Sequence, residues 1–211
     1  MSRKDDAPSA GPDGARWDER YNSDDYVYGT KPNDFLVEQL GRLPRGPVLS
    51  MCEGEGRNAV FLAEQGYQVT AVDASGVGLA KARQLAELRN VTVRTVVADL
   101  TSIDLGHQDY AGCVSVFCHL QTEDRSALYP RVVEALRPGG VLILEAYTPR
   151  QLDYGTGGPP TEERLVTLRD LEEVLSGMEF LLARELEREV YEGRLHRGPA
   201  HVVQVLARKP F

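Results

Sequence analysis

The feature that most constrains the fold is a regular alternation between residues 48 and 146. Short apolar runs at 48–52, 67–72, 91–97, 110–117 and 141–146 are separated by stretches of helical composition. Nearly continuous apolar strands of this kind are buried on both faces, and strands linked by helices form a parallel sheet. Gly66 stops a helix over 58–65, Ser75 is placed to N-cap one running to about 89, and Thr122 to cap a third. Glu123 and Asp124 suit the positive end of that third helix, which ends before Pro138-Gly139-Gly140. After residue 146 the rhythm changes to a Gly/Pro-rich loop over 148–160 and a helix near 168–175. Segments 180–191 and 200–207 close the chain; the second reads as a strand. The first, containing Arg184-Glu185-Leu186-Glu187-Arg188-Glu189, also suits a helix, but Gly193 and Gly198-Pro199 favour a hairpin. The expected fold is α/β: a Rossmann-like, doubly wound, mostly parallel seven-stranded sheet with a C-terminal antiparallel hairpin.

Residues 1–14, rich in Asp, Pro, Gly and Ser, read as a disordered tail, leaving 15–211 as one domain. Trp17, Tyr21, Tyr26 and Tyr28 follow, and Pro32-Asn33-Asp34 introduces a short helix over 35–40. A net charge of −8 and a pI near 5.1 disfavour nucleic acid as a partner, since an acidic surface repels phosphates. No apolar run reaches the roughly 18 residues of a membrane span, and the opening Met-Ser-Arg-Lys-Asp-Asp has no apolar leader core. A cytoplasmic protein is expected. Cys52, Cys113 and Cys118 are odd in number and lack disulfide-like spacing, so they read as reduced thiols. The Cys and His residues show no paired-ligand spacing, so no metal is expected.

In a doubly wound sheet, ligands bind outside the carboxyl ends of the strands. Here those ends carry Glu53-Gly54-Glu55-Gly56, Asp73-Ala74, Ala98-Asp99-Leu100 and Phe117-Cys118-His119, with Asn58 opening the first helix of the alternation. Asp73 follows the glycine turn by roughly 20 residues, where an acid grips ribose hydroxyls, and Asp99 ends the third strand, on the adenine side. Any one of these is as readily a turn-former or cap; four at successive strand ends point to a cofactor. Gly54, Gly56 and Ala59 match the dinucleotide pattern G-x-G-x-x-G/A. A pyrophosphate there would face Glu53 and Glu55, at a cost of several kcal/mol, on the order expected for like charges in a partly buried site. S-adenosylmethionine carries an ammonium and a sulfonium and no phosphate, so it is the expected cofactor, with S-adenosylhomocysteine as product. A nicotinamide-dependent oxidoreductase is the weaker alternative. Trp17, Tyr21, Tyr26 and Tyr28 are candidates for an aromatic lid that faces the sulfonium and excludes water, and Arg20 joins Trp17, Tyr21 and Tyr28 as a candidate cofactor-binding residue. His119 reads either as a general base or as a polar residue capping the next helix. The Asn/Asp-Pro-Pro-aromatic motif of DNA base amino-methyltransferases is absent at this strand end.

These residues resemble class I methyltransferases, and most closely the tellurite-resistance methyltransferase group, related to thiopurine methyltransferases. The resemblance is carried by Trp17-Asp18-Glu19-Arg20-Tyr21, Tyr28-Gly29-Thr30-Lys31-Pro32-Asn33, Gly54-Glu55-Gly56-Arg57-Asn58-Ala59, Val69-Thr70-Ala71-Val72-Asp73 and Arg137-Pro138-Gly139-Gly140. Gly193-Arg194-Leu195-His196-Arg197 is similar to that group's His-Arg loop. The resemblance implies methyl transfer, with His196 taking a proton or orienting the nucleophile and Arg197 holding an anionic acceptor. It brings chalcogen oxyanions and thiols into the range of acceptors. The chain departs from the group where the first glycine motif opens with Asp and Gly; Ser50 and Cys52 stand there, which shifts the acid beside the cofactor's methionine part to Glu53. The expected partner is a small-molecule acceptor, with the protein a monomer or homodimer. A nonenzymatic regulatory module that binds the same cofactor is the alternative from another class.

Overall fold

The computed structural model describes residues 10–211. The expected tail therefore lies outside the described residues over 1–9. Residues 11–14, also assigned to it, instead form the first turn of helix α1 (Gly11–Tyr21). The other helices are α2 (Asp34–Gln39), α3 (Arg57–Glu64), α4 (Gly76–Leu88), α5 (Thr122–Ala135) and α6 (Leu168–Val174). The strands are β1 (Pro47–Met51), β2 (Gln68–Asp73), β3 (Arg94–Val97), β4 (Tyr110–Val116), β5 (Leu136–Tyr147), β6 (Glu179–Glu192) and β7 (His196–Arg208).

They form one seven-stranded sheet in the order β3-β2-β1-β4-β5-β7-β6. Strands β1 to β5 are parallel, and β7 runs antiparallel to both β5 and β6. Successive strand residues feed opposite layers. Val141 and Ile143 join Phe35, Leu62 and Leu79 on the face covered by α2, α3 and α4. Leu142 and Leu144 join Leu128, Val132 and Leu171 on the face covered by α5 and α6. Burying each such side chain contributes about 1.5–3 kcal/mol, which is why the central strands β1, β4 and β5 read as mostly apolar, while the edge strand β3 is only half-buried.

The caps show how local chemistry sets the helix starts. The Ser75 hydroxyl accepts from the Gly78 N–H at 2.9 Å, and the Asn33 side chain from the Leu36 N–H at 3.0 Å. Thr122 does not cap α5. It is the first helical residue, and its hydroxyl donates to the Glu163 carbonyl at 3.2 Å, tying α5 to the loop before α6. Strand β5 starts at Leu136 rather than 141, so Arg137-Pro138-Gly139-Gly140 lies within its irregular beginning. The ambiguous segment is a strand, β6, in a long hairpin with β7. Leu182, Leu186 and Val190 are four apart, a spacing that matches both one helical turn and two strand repeats. Pairing with β7 decides between the two. Among the described residues no helix is long and apolar enough to cross a membrane.

Candidate active site

The sheet reverses its strand order between β1 and β4, where Met51 is in register with Ser115. A cleft of about 700 Å³ opens at the carboxyl ends of these strands. It is lined by α1 residues, the strand ends, Gly157 to Pro160, and the hairpin turn at Leu195 and His196.

The turn after β1 is built for close approach. Gly54 has φ +58°, and a Cβ there would lie 2.5 Å from the Tyr21 hydroxyl oxygen. Gly56 has φ +93°, and a Cβ would lie 2.6 Å from that of Ala82, so this glycine lets α3 pack on α4. Cys52 also adopts positive φ, +49°, the conformation that explains why a glycine suits this place in the resembled group.

The two glutamates serve the protein's own groups. Glu53 Oε1 accepts from the backbone N–H of Asn58 at 3.0 Å and Ala59 at 2.8 Å, and the other oxygen from the Ser50 hydroxyl. Burial pushes the Glu53 carboxyl up, opposed by these hydrogen bonds. Glu55 is buried against the Lys81 ammonium and accepts from the Tyr28 N–H at 3.3 Å. Lys81 also donates to the carbonyls of Ser23 at 3.0 Å and Asp25 at 2.6 Å. The Glu55–Lys81 pair thus anchors the chain between α1 and α2 over the sheet. A helix N-terminus and a lysine hold the two carboxylates, and both still line the cleft.

Asp73 ends β2, buried, with one oxygen accepting from the Gly54 N–H at 2.8 Å and the other from the Ser75 N–H at 2.8 Å. Each oxygen keeps further acceptor capacity. Burial pushes its carboxyl up to about 6 despite these bonds. Asp99 is exposed and folds onto its own loop, accepting from the Thr101 N–H at 2.8 Å and hydroxyl at 2.7 Å. Ala74, Ala98, Asp99 and Leu100 all line the cleft.

The roof is aromatic. Trp17 stacks on Tyr21 with centroids 5.5 Å apart, and Tyr28 meets Tyr21 edge-on at 6.3 Å. The Arg20 guanidinium lies 5.0 Å from the Trp17 ring centroid and donates to the Tyr28 hydroxyl at 3.0 Å. Across the cleft, Phe117 stacks on the fully buried Tyr147 at 4.5 Å. The His196 ring is 4.6 Å from Tyr28 and 5.0 Å from Phe117. His119 is parallel to Tyr147 at 5.5 Å.

Two further expectations change. Cys52 and Cys118 are joined as a disulfide, with Cα atoms 5.3 Å apart; Cys113 alone is free, and buried. Spacing along the chain hid this pair, because only the pairing of β1 with β4 brings residues 66 apart in sequence together. Arg197 is exposed and is not part of the cleft; its N–H donates to the Thr156 carbonyl at 3.2 Å. Strand alternation turns Arg197 away from the side that His196 faces.

Trp17, Arg20, Tyr21, Tyr28, Glu53, Glu55, Asn58, Asp73, Phe117, His119 and His196 all line the cleft, while Gly54 and Gly56 shape it from behind. Residues that sequence reasoning missed include Arg57, Leu120 and Arg164, and the Gly157–Pro160 wall. Arg57 lies inside the glycine motif, and its buried pairing with Glu192 at 2.6 Å joins that motif to the hairpin. Arg164 carries no sequence signal, since its place depends on the fold of a loop.

Residues 48–140 match the family described as "Methyltransferase domain". The chain is 32% identical over 134 residues to glycine/sarcosine N-methyltransferase of Halorhodospira halochloris, covering 61% of this chain and 47% of that protein. It is 30% identical over 172 residues to tRNA 5-carboxymethoxyuridine methyltransferase of Escherichia coli K12, covering 65% of this chain and 62% of that one. The chain thus spans about half to three-fifths of the length of these relatives. The crystal structure of TehB from Haemophilus influenzae shares the fold at a TM-score of 0.69 and 22% identity, over 93% of this chain and 66% of that chain. Residues 48–140 are thus similar to a methyltransferase domain, and the chain as a whole shares the fold of the solved TehB structure.

Proposed function

We propose that the protein is an S-adenosylmethionine-dependent methyltransferase whose acceptor is a small molecule. The observation that carries this reading is the Glu53 carboxylate on the N-terminus of α3. In dinucleotide-binding sheets those amides cradle a pyrophosphate. Here a fixed negative charge occupies them and repels phosphate, which suits a cofactor without one. When bound, the cofactor supplies an electrophilic methyl group on a sulfonium. Asp73 has free acceptor capacity for ribose hydroxyls, and Ala74, Ala98 and Leu100 offer walls for an adenine. Trp17 and Tyr21 of α1, with Tyr28, give aromatic faces to a cation and keep water from the cleft.

A small acceptor fits a cleft roofed by α1, the Gly157–Pro160 wall and the hairpin turn. A net charge of −8 argues against an RNA acceptor such as the one named for the E. coli relative. The sequence resemblance to the tellurite-resistance group keeps chalcogen oxyanions and thiols in the starting panel. Isothermal calorimetry of the purified protein with S-adenosylmethionine, S-adenosylhomocysteine and NADH tests the reading. Micromolar binding of the first two, lost in Asp73→Ala, is the expected result. Binding of NADH alone would overturn it.

A further inference from the structure

In the cleft, His119 is held at two points by one residue. Its Nδ1 lies 3.3 Å from the Arg164 carbonyl oxygen, and the Arg164 guanidinium donates to the His119 carbonyl at 3.1 Å. A carbonyl oxygen only accepts, so Nδ1 carries the ring proton and Nε2 of the neutral ring is a bare acceptor. That Nε2 is buried and has no hydrogen-bond partner among the described residues. Buried acceptors are almost always matched by a donor, so this atom marks where a ligand's donor belongs. His196 shows the same condition on the facing element: its Nδ1 is buried without a partner.

Resting on the methyltransferase reading above, we propose that the acceptor is a neutral, proton-bearing nucleophile, an amine, hydroxyl or thiol, whose X–H donates to His119 Nε2. Burial pulls His119 down to about 4 and His196 well below its ordinary value, so both rings are neutral at pH 7. The guanidiniums of Arg164 and Arg125 near His119, and of Arg57 and Arg20 near His196, add to that shift. Each of the four already donates to a protein oxygen: the His119 carbonyl, the Leu165 carbonyl, the Glu192 carboxylate and the Tyr28 hydroxyl. A proton-bearing nucleophile matches a bare imidazole nitrogen beside the Phe117 and Tyr147 rings; an oxyanion meets its lone pair. In the transfer, a bond forms between X and the methyl carbon as the carbon–sulfur bond of the sulfonium breaks. The electron pair stays on sulfur, and the proton of X–H passes to Nε2 and then to solvent. Arg164 is a positioning residue, because it acts only through the ring it orients.

The test uses ¹⁵N NMR of the histidine rings and a panel of acceptors. The probes are aniline, phenol and phenylmethanethiol, with selenite and tellurite as oxyanions whose reacting chalcogen carries no proton. His119→Asn keeps a side-chain donor for the Arg164 carbonyl and leaves nothing at the Nε2 position. The expected result is the Nδ1–H tautomer at pH 7, with product from at least one neutral donor. In His119→Asn, kcat should fall about 10²–10⁴-fold, as for loss of a general base, with S-adenosylhomocysteine affinity unchanged. An Nε2–H tautomer, undiminished kcat in His119→Asn, or product from the oxyanions and none of the neutral donors would overturn the assignment. So would the absence of any product while S-adenosylhomocysteine still binds. Failure of wild-type protein to bind S-adenosylhomocysteine would instead sink the reading underneath.

Discussion

The Glu53 carboxylate accepts a hydrogen bond from the backbone N–H of Ala59 at 2.8 Å, so the positive end of α3 is closed by a side chain two residues after β1. The same atom accepts from Asn58, and its partner oxygen from Ser50, which stands where the resembled group has an acid. An ionised acceptor on a helix N-terminus is stabilising, and removing it strands buried donors. Glu53→Ala is expected to lower unfolding free energy by about 2–3 kcal/mol, since two amides and a hydroxyl lose their acceptor. Urea denaturation measures this. A variant of unchanged stability that had lost cofactor affinity would place the carboxylate on the ligand instead.

Asp73 gives a pH signature. Its folded-state value of about 6 lies above the ordinary 3.8, so between these values the unfolded chain releases the proton first. Stability from this group therefore falls as pH rises through that window, and the full penalty, up to about 3 kcal/mol, persists above it. Asp73→Asn in the ligand-free protein should gain in Tm relative to wild type as pH goes from 4 to 7, while losing cofactor binding. Scanning calorimetry at pH 4, 5.5 and 7 reads the first effect, and titration with S-adenosylhomocysteine the second. A Tm difference that is flat across pH would show that Asp73 is not held in this way.

The Cys52–Cys118 bond predicts a thiol count. Unfolded, unreduced protein should show one reactive thiol, Cys113, and reduced protein all three cysteines. The bridge closes a loop of 66 residues, so the double variant Cys52→Ser/Cys118→Ser should be less stable by about 4 kcal/mol on the chain-entropy estimate. Three thiols before reduction would refute the bond.

Gly193 fixes the hairpin turn against the roof. It has φ +68°, and a Cβ would overlap the Val27 carbonyl oxygen and lie 2.5 Å from the Tyr28 Cα. Arg194 donates from its N–H to the same Val27 carbonyl at 3.1 Å. Gly193→Ala must push the turn away from Tyr28, and with it the His196 ring. Turnover should fall at least roughly tenfold, the scale of ångström misplacement, with a lowered Tm. Wild-type kcat in this variant would show that the contact is dispensable.

The parallel sheet, the hairpin and most cleft residues were legible in the sequence, because strand periodicity and the location of ligands at strand ends are local and topological rules. Leu182, Leu186 and Val190 were not decisive, since their spacing fits two structures and only the partner strand chooses. The glutamates were located correctly, but their partners were not visible: Glu53 turns back on α3, and Glu55 meets Lys81 from the next helix. Arg197 was misplaced because resemblance carries a motif over and says nothing about which strand face each residue takes.

By itself, then, the sequence determined the order of elements, the strand ends that bear Gly54, Asp73 and Phe117, and a cofactor class free of phosphate. These follow from hydrophobic period, backbone freedom and sign of charge, which operate over a few residues at a time. Tertiary structure alone decided that Cys52 meets Cys118, that Arg164 sets the tautomer of His119, and that His196 rather than Arg197 enters the cleft. Each of these joins segments far apart in the chain, and such distances are set by sheet order and packing, which no local pattern encodes.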